Sequence, residues 1–240
     1  MTQFKIYETD ERMYFLQRIL RGVVPETTAH VFAPNIVVTE ERLTDVKDGE
    51  ILICGKLDKG AEIYAQNHSV EVHTLSDDEK FQADNALLTA EGALGIIIDH
   101  TMLSLGDIYA LVIGFGRTGA AVCRLFDKLD VRFDIATSAS PRPAGAFARR
   151  VVTASDVDLS AYDVIVNTAP QKIISDEQAL SVKPSVVYVE LASAPALNLK
   201  MLQNLGIDAE KYPALPAKCS PESAAKVMET YIRGVIKCRK

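Results

Sequence analysis

YALVIGFGRTG, residues 109–119, decides how the chain is read. Its first five residues form a short apolar, β-rich run, as in a strand buried on both faces of a parallel sheet. Gly114-Phe115-Gly116-Arg117-Thr118-Gly119 follows with GxGxxG spacing. Behind it Ala121, Val122, Leu125, Phe126 and Leu129 recur at steps of three and four, which predicts a helix facing that sheet. A strand before and a helix after are the context that gives this fingerprint its weight. Gly114 then allows a tight turn, Gly116 lets the backbone approach a pyrophosphate, and Gly119 lets helix and strand pack closely. The N–H groups of Arg117, Thr118 and Gly119 open the helix and face the anion, and Arg117 adds a cation at the same mouth. Dinucleotide binding is favoured over a glycine turn of purely structural use.

Working outward, β-rich runs at 132–137, 151–152, 163–167, 186–191 and 207–212 alternate with turns and amphipathic segments. The pattern predicts an α/β doubly wound parallel sheet, a Rossmann-type dinucleotide-binding domain over residues 106–216. Residues 1–84 suggest a smaller α/β domain, with strands at 5–7, 36–38 and 50–54, a helix at 11–20, and Gly55 and Gly60 as turn residues. Two long helices link the domains. One, over 85–105 from near Asp84, carries Leu87, Leu88, Ala90, Leu94, Ile97 and Ile98. The other, over 217–240, starts with Ser220 as N-cap and Pro221 at the first helical position, and returns to the N-terminal domain. Its Val227, Met228, Tyr231, Ile232, Val235 and Ile236 share one stripe. A chain that leaves by one helix and returns by another predicts a cleft between the domains.

The end of the second nucleotide-fold strand bears on which coenzyme fits. NAD enzymes place an acid there for the ribose hydroxyls, whereas this chain reads Thr137, Ser138, Ala139, Ser140, Pro141, Arg142. Asp134 lies inside the strand rather than at its tip. Hydroxyls of Thr137, Ser138 and Ser140 followed by Arg142 suit a 2′-phosphate, so NADP is favoured over NAD, with a solvated loop cation as the alternative for Arg142. Asn167-Thr168-Ala169-Pro170 and Leu191-Ala192-Ser193 end two further strands, and strand tips in open parallel sheets border the ligand. Asn167, Thr168, Ala169, Pro170, Ala192 and Ser193 are therefore expected beside the nicotinamide. Asn167 and Ser193 read equally well as turn residues.

Composition removes other classes. The 240 residues are 48% hydrophobic and 24% charged, a globular balance that excludes disordered and collagenous chains. With 26 Lys+Arg against 32 Asp+Glu the net charge is −6, which disfavours nucleic acid. Cys54, Cys123, Cys219 and Cys238 form no CxxC pair, and the four histidines no ligand pattern, so no metal site is expected. The opening MTQFKIYETDERMYF lacks the features of a secretion signal, and no apolar run reaches the ~20 residues of a membrane span. A cytoplasmic protein with reduced thiols is expected; a homo-oligomer is allowed.

The chain resembles the dipicolinate synthase family, in particular the first of that enzyme's two subunits. The resemblance rests on TAEG (89–92), DHT (99–101), GFGRTG (114–119), VNTAP (166–170), ELAS (190–193) and LPAKCSPESAA (215–225), in family order and with similar spacing, from about Ile51 onward. It implies a Rossmann domain joined by two long helices to a flavodoxin-like N-terminal domain. It also implies NADP, a dicarboxylate substrate, and a partner, the enzyme's flavoprotein-like second subunit. The implied reaction makes pyridine-2,6-dicarboxylate from a cyclic lysine-pathway intermediate during sporulation. The chain departs from the family in three places. Glu8-Thr9-Asp10-Glu11-Arg12 replaces a glycine-containing turn, the N-terminal domain is shortened between Asn35 and Glu50, and Ala194 stands where the family has an arginine. Ser138 likewise replaces the arginine usual after the second strand, so the 2′-phosphate reading depends on Arg142.

No catalytic residue is assigned. Glu91 and His100 are candidates for proton transfer, about 13 Å apart if their helix is continuous, with a satisfied interior or surface histidine the favoured reading of His100. The start of the last helix, with Lys218, Ser220, Glu222 and Ser223, is a weaker candidate for a substrate carboxylate, because Glu222 already satisfies the dipole. A divergent, non-catalytic NAD(P)-binding protein with a sensing or partner-docking role is the competing reading. A 2-hydroxyacid dehydrogenase is a third, weakened because no Arg/Glu/His set stands at the strand tips.

Overall fold

The computed structural model describes residues 2–137 and 148–237. In chain order come β1 (Phe4–Ile6), α1 (Glu11–Ile19), β2 (Ala29–Val31), β3 (Val37–Val38), β4 (Ile51–Cys54), β5 (Lys56–Leu57), α2 (Lys59–Asn67), β6 (Glu71–Thr74) and α3 (Glu79–His100). Then follow β7 (Tyr109–Ile113), α4 (Arg117–Lys128), β8 (Arg132–Thr137), β9 (Arg150–Thr153), β10 (Val164–Asn167), α5 (Asp176–Ala179), β11 (Val187–Glu190), α6 (Leu199–Asn204), β12 (Ala209–Lys211), α7 (Leu215–Cys219) and α8 (Pro221–Val235). The fold divides into two compact units, Met1–Leu88 with Pro216–Lys240, and Thr89–Leu215.

The second unit holds a six-stranded parallel sheet in the order β12-β11-β10-β7-β8-β9. Strand order reverses between β7 and β10, the switch point of a doubly wound sheet. Ala110 to Ile113 are fully buried, so β7 takes the centre, where neither face meets water. Helix α4 covers one face through Ala121, Val122, Cys123 and Phe126, and the Phe126 ring lies 5.8 Å from that of Phe133 on β8. Leu129, expected on the same stripe, is exposed: α4 ends at Lys128 and the chain turns through Asp130 at φ 55°.

The opposite face packs Leu111, Ile113, Tyr162, Ile165, Tyr188 and Leu197 into one core. On the same sheet Asp134 is buried inside β8. Its Oδ2 accepts hydrogen bonds from Tyr109 (2.6 Å), Tyr162 (2.8 Å) and the Nε and Nη2 of Arg150 (3.0 and 2.8 Å). Burial works against its charge, yet the bonds from Tyr109, Arg150 and Tyr162 outweigh it and hold the carboxyl below the usual aspartate range.

The first unit is a four-stranded parallel sheet, β1-β2-β4-β6, beside a two-stranded pair, β3-β5. Alternation in β2 sends Ala29 and Val31 to a core with Met13 and Leu16 of α1 and Met228 and Ile232 of α8. Phe32 and Leu52 face a second core with Ala61 and Ala65 of α2. Strand order here advances without a reversal, whereas a flavodoxin-like sheet sets its first strand between the second and third. Strand β1 is only partly buried and carries Lys5, which suits an edge, while β2 and β4 are buried throughout.

Two helix starts differ from expectation. Helix α3 begins at Glu79, not near Asp84, because the Asp78 carboxylate accepts from Phe81 N (2.6 Å) and caps it. Ser220 makes no side-chain cap bond to α8. Helix α7 runs almost directly into α8, Ser220 N bonds back to Pro216 O (3.2 Å), and Ser220 Oγ is buried without a partner.

Asp134→Ala would leave the buried Tyr162 hydroxyl without its acceptor while the exposed Arg150 returns to water, and should lower unfolding free energy by about 2 kcal/mol in urea titrations at pH 7. Because the folded-state pKa is depressed, the stabilisation is complete above the unfolded value near 3.8 and is lost as pH falls through the folded one. Wild type should therefore lose more stability than the variant on acidification below about pH 4. Equal losses would assign the acid sensitivity elsewhere.

Candidate functional site

The crevice at the switch point is built by small residues. Gly114 leaves β7 at φ +89°, and a Cβ there would lie 2.9 Å from both Ala169 N and Thr168 Oγ1. A Cβ on Gly119 would lie 2.4 Å from Gly114 O and 2.8 Å from Thr168 Oγ1. These two positions therefore let the β7 tip, the first turn of α4 and the turn after β10 close upon one another. Thr168 ties the same junction: its N–H and its hydroxyl both donate to Ile113 O, at 2.8 and 2.9 Å.

Gly116 is different. It caps α4 at φ −79° without a side-chain bond, is exposed, and a Cβ there meets nothing within 4 Å. That open space lies before the first turn of a twelve-residue helix whose opening N–H groups have no intrahelical acceptor. The cradle therefore fits a diphosphate: bare backbone, positive helix end, and no side chain in the way. Arg117 is exposed at the same turn, Thr118 half-buried and Gly119 buried.

The other candidate positions divide. Thr137 ends β8 and is buried, while Ser138, Ser140 and Arg142 lie outside the described residues. Pro170 and Ser193 are exposed; Ala169 and Ala192 are buried. Asn167 presents no side chain to a ligand. It is fully buried, its Oδ1 accepts from Ala169 N (3.0 Å), and its Nδ2 donates to Glu190 Oε1 and Oε2 (2.8 and 3.0 Å). The turn reading of Asn167 is the one these bonds support.

Sequence reasoning gave Glu190 no role, although it is the most connected group at the strand tips. It is fully buried at the end of β11, in register with Asn167. Besides Asn167, it accepts from Tyr188 OH (2.7 Å), Ala192 N (2.8 Å) and Ala196 N (3.3 Å). Burial pushes its pKa up, against the pull of those same donors. Next in register, Lys211 directs its ammonium to Ser193 O at 2.6 Å.

The candidate proton-transfer groups stand apart. Glu91 and His100 are both exposed on α3, which is continuous between them, so they lie roughly 13 Å apart along its axis. His100 Nδ1 pairs with Asp208 at 3.0 Å. Glu222 pairs with Lys226 at 2.8 Å, which lowers its carboxyl pKa. Burial pushes the Cys54 and Cys123 thiols up to about 12, which removes them as nucleophiles at neutral pH. Among the described residues no His, Cys, Asp and Glu group is arranged to hold a metal, and no helix is long and apolar enough to cross a membrane.

No family model matches the chain. It is 27% identical over 149 residues to the first subunit of dipicolinate synthase from Bacillus subtilis (strain 168); the match covers 60% of this chain and 50% of that protein, so the chain spans about half its relative's length. The solved dipicolinate synthase first subunit of Bacillus halodurans superposes with a TM-score of 0.72 at 20% identity, over 86% of this chain and 79% of the other. A D-lactate dehydrogenase of Salmonella gives 0.61 at 12% identity, over 97% and 94%. At these identities the solved structures show a shared fold alone, an α/β arrangement of parallel sheets of Rossmann type. In sequence and in fold, then, the chain is similar to the first subunit of dipicolinate synthase.

Proposed function

We propose that the chain is an NADP-dependent oxidoreductase subunit that forms pyridine-2,6-dicarboxylate from a cyclic lysine-pathway intermediate, partnered by the flavoprotein second subunit of dipicolinate synthase. The observation that carries this reading is the open space at Gly116 before α4, at the switch point of a parallel sheet. The similarity to dipicolinate synthase supports the substrate class. When bound, the coenzyme supplies the hydride acceptor that an aromatising oxidation requires.

The chain's own residues bind and orient. The α4 amides hold the diphosphate, and Arg117 adds positive charge at its mouth. Thr137, Ser138, Ser140 and Arg142 take the adenosine side, where Arg142 reads the 2′-phosphate. The 167–170 turn and the Ala192-Ser193 turn flank the nicotinamide through backbone rather than side chains. This reading suits a cytoplasmic, sporulation-linked enzyme. The divergent, non-catalytic alternative is favoured by one observation: the family's arginine is replaced by Ala194, leaving a dicarboxylate without that bidentate contact.

Four experiments test it. Gly116→Val should abolish NADP binding in calorimetry yet cost only about 1 kcal/mol of stability, the loss of a favoured N-cap, because the added atoms enter open space. Gly119→Ala should instead lose at least about 2 kcal/mol, since its Cβ meets a backbone carbonyl; the reverse ordering would contradict the assignment. Arg142→Ala should weaken NADP about tenfold more than NAD, and equal losses would remove Arg142 from the phosphate site. Incubated with its flavoprotein partner, NADP and the cyclic intermediate, the chain should generate pyridine dicarboxylate absorbance. Coenzyme binding without that absorbance would favour the non-catalytic reading.

A further inference from the structure

Every group bonded to Glu190 donates to it. Tyr188 OH, Asn167 Nδ2, Ala192 N and Ala196 N converge on its two oxygens at 2.7 to 3.3 Å. The Asn167 amide cannot be turned to offer its oxygen, because Oδ1 already accepts from Ala169 N. Of these groups only the Tyr188 hydroxyl could turn to accept from a neutral carboxyl; the three N–H groups can only donate, and between them they reach both oxygens, which suits the carboxylate. All of those donors are neutral, and no lysine, arginine or histidine among the described residues forms an ion pair with Glu190. The result is a fully buried negative charge, solvated by dipoles and uncompensated by a cation.

Its place gives that charge a use. Glu190 ends β11 in register with Asn167, which in turn stands opposite Ile113 at the tip of β7, so the carboxylate belongs to the strand tips beside the switch-point crevice. The turn it holds is residues 191–196, on the sheet half that receives the second mononucleotide of a dinucleotide. Of the two redox forms of a nicotinamide, the oxidised ring is a cation and the reduced ring is neutral.

We propose that the Glu190 carboxylate selects the oxidised coenzyme, its buried charge stabilising the cationic ring over the neutral one. This rests on the coenzyme reading above and deepens it: the chain is built to hold the hydride acceptor and to let the reduced form go. The same bias makes the bound acceptor weaker, which an aromatising oxidation, strongly downhill, tolerates. A bracket that merely shaped the 191–196 turn would need no charge, and would favour neither form.

Calorimetric titration of the full chain with NADP⁺ and with NADPH separates these roles. Wild type should bind NADP⁺ at least as tightly as NADPH. Glu190→Gln should raise the ratio of the oxidised to the reduced dissociation constant about tenfold, the scale of one charge acting over roughly 12 Å at an effective dielectric of about 20. Tyr188→Phe removes a donor but keeps the charge, and should leave that ratio unchanged. Equal weakening of both forms in Glu190→Gln would reduce the residue to a structural bracket and overturn the proposal. Wild type binding NADPH more than tenfold tighter would overturn it without any variant. Failure of wild type to bind either form would instead sink the coenzyme reading, and this inference with it.

Discussion

No side chain fits between Gly119 and the carbonyl of Gly114, and the second unit is organised around that fact. A Cβ at either glycine would collide with backbone or with Thr168, so their hydrogens let three segments meet: the tip of β7, the first turn of α4 and the turn after β10. Thr168 closes the junction by donating twice to Ile113 O. With the helix drawn this close, its unsatisfied N–H groups open onto the space at Gly116. Close packing and an open helix end are therefore products of the same geometry.

Around this contact the sheet sorts its polar groups by depth. Asp134 lies inside β8, bonded to two tyrosines and one arginine, and serves the core. Glu190 lies at a strand end, bonded only to neutral donors, and keeps its charge near the crevice. Both carboxyls are buried, but the pKa of one is pulled down by a cation and hydroxyls while burial pushes the other up. Environment rather than residue type sets the two carboxyls apart.

Most of the second unit was legible because its strands are continuous apolar runs and α4 has a well-marked stripe; β7, β8, β10, β11 and β12 lie within two residues of where the sequence places them. The first unit was harder. Helix α2, KGAEIYAQN, buries only two alanines, too little apolar surface to mark a period. Strand β2 is three residues with a histidine at its centre; His30 is buried because Tyr7 and Glu50 bond its two ring nitrogens at 2.9 and 2.8 Å, partners 23 and 20 residues away. At the candidate site the glycines could be read from spacing alone, since a backbone requirement is local. The Asn167–Glu190 pair could not, because an acid ending an apolar strand gives no sign of which donors the next turn will bring to it.

The central claim is that the first turn of α4 receives the diphosphate of a dinucleotide. Amide hydrogen exchange, compared with and without saturating NADP⁺, tests it at the atoms concerned. Slowed exchange at the amides of residues 115–119, with the remote face of α4 unchanged, is the expected result. Unchanged exchange at those amides while the coenzyme binds would place the ligand elsewhere and contradict the account.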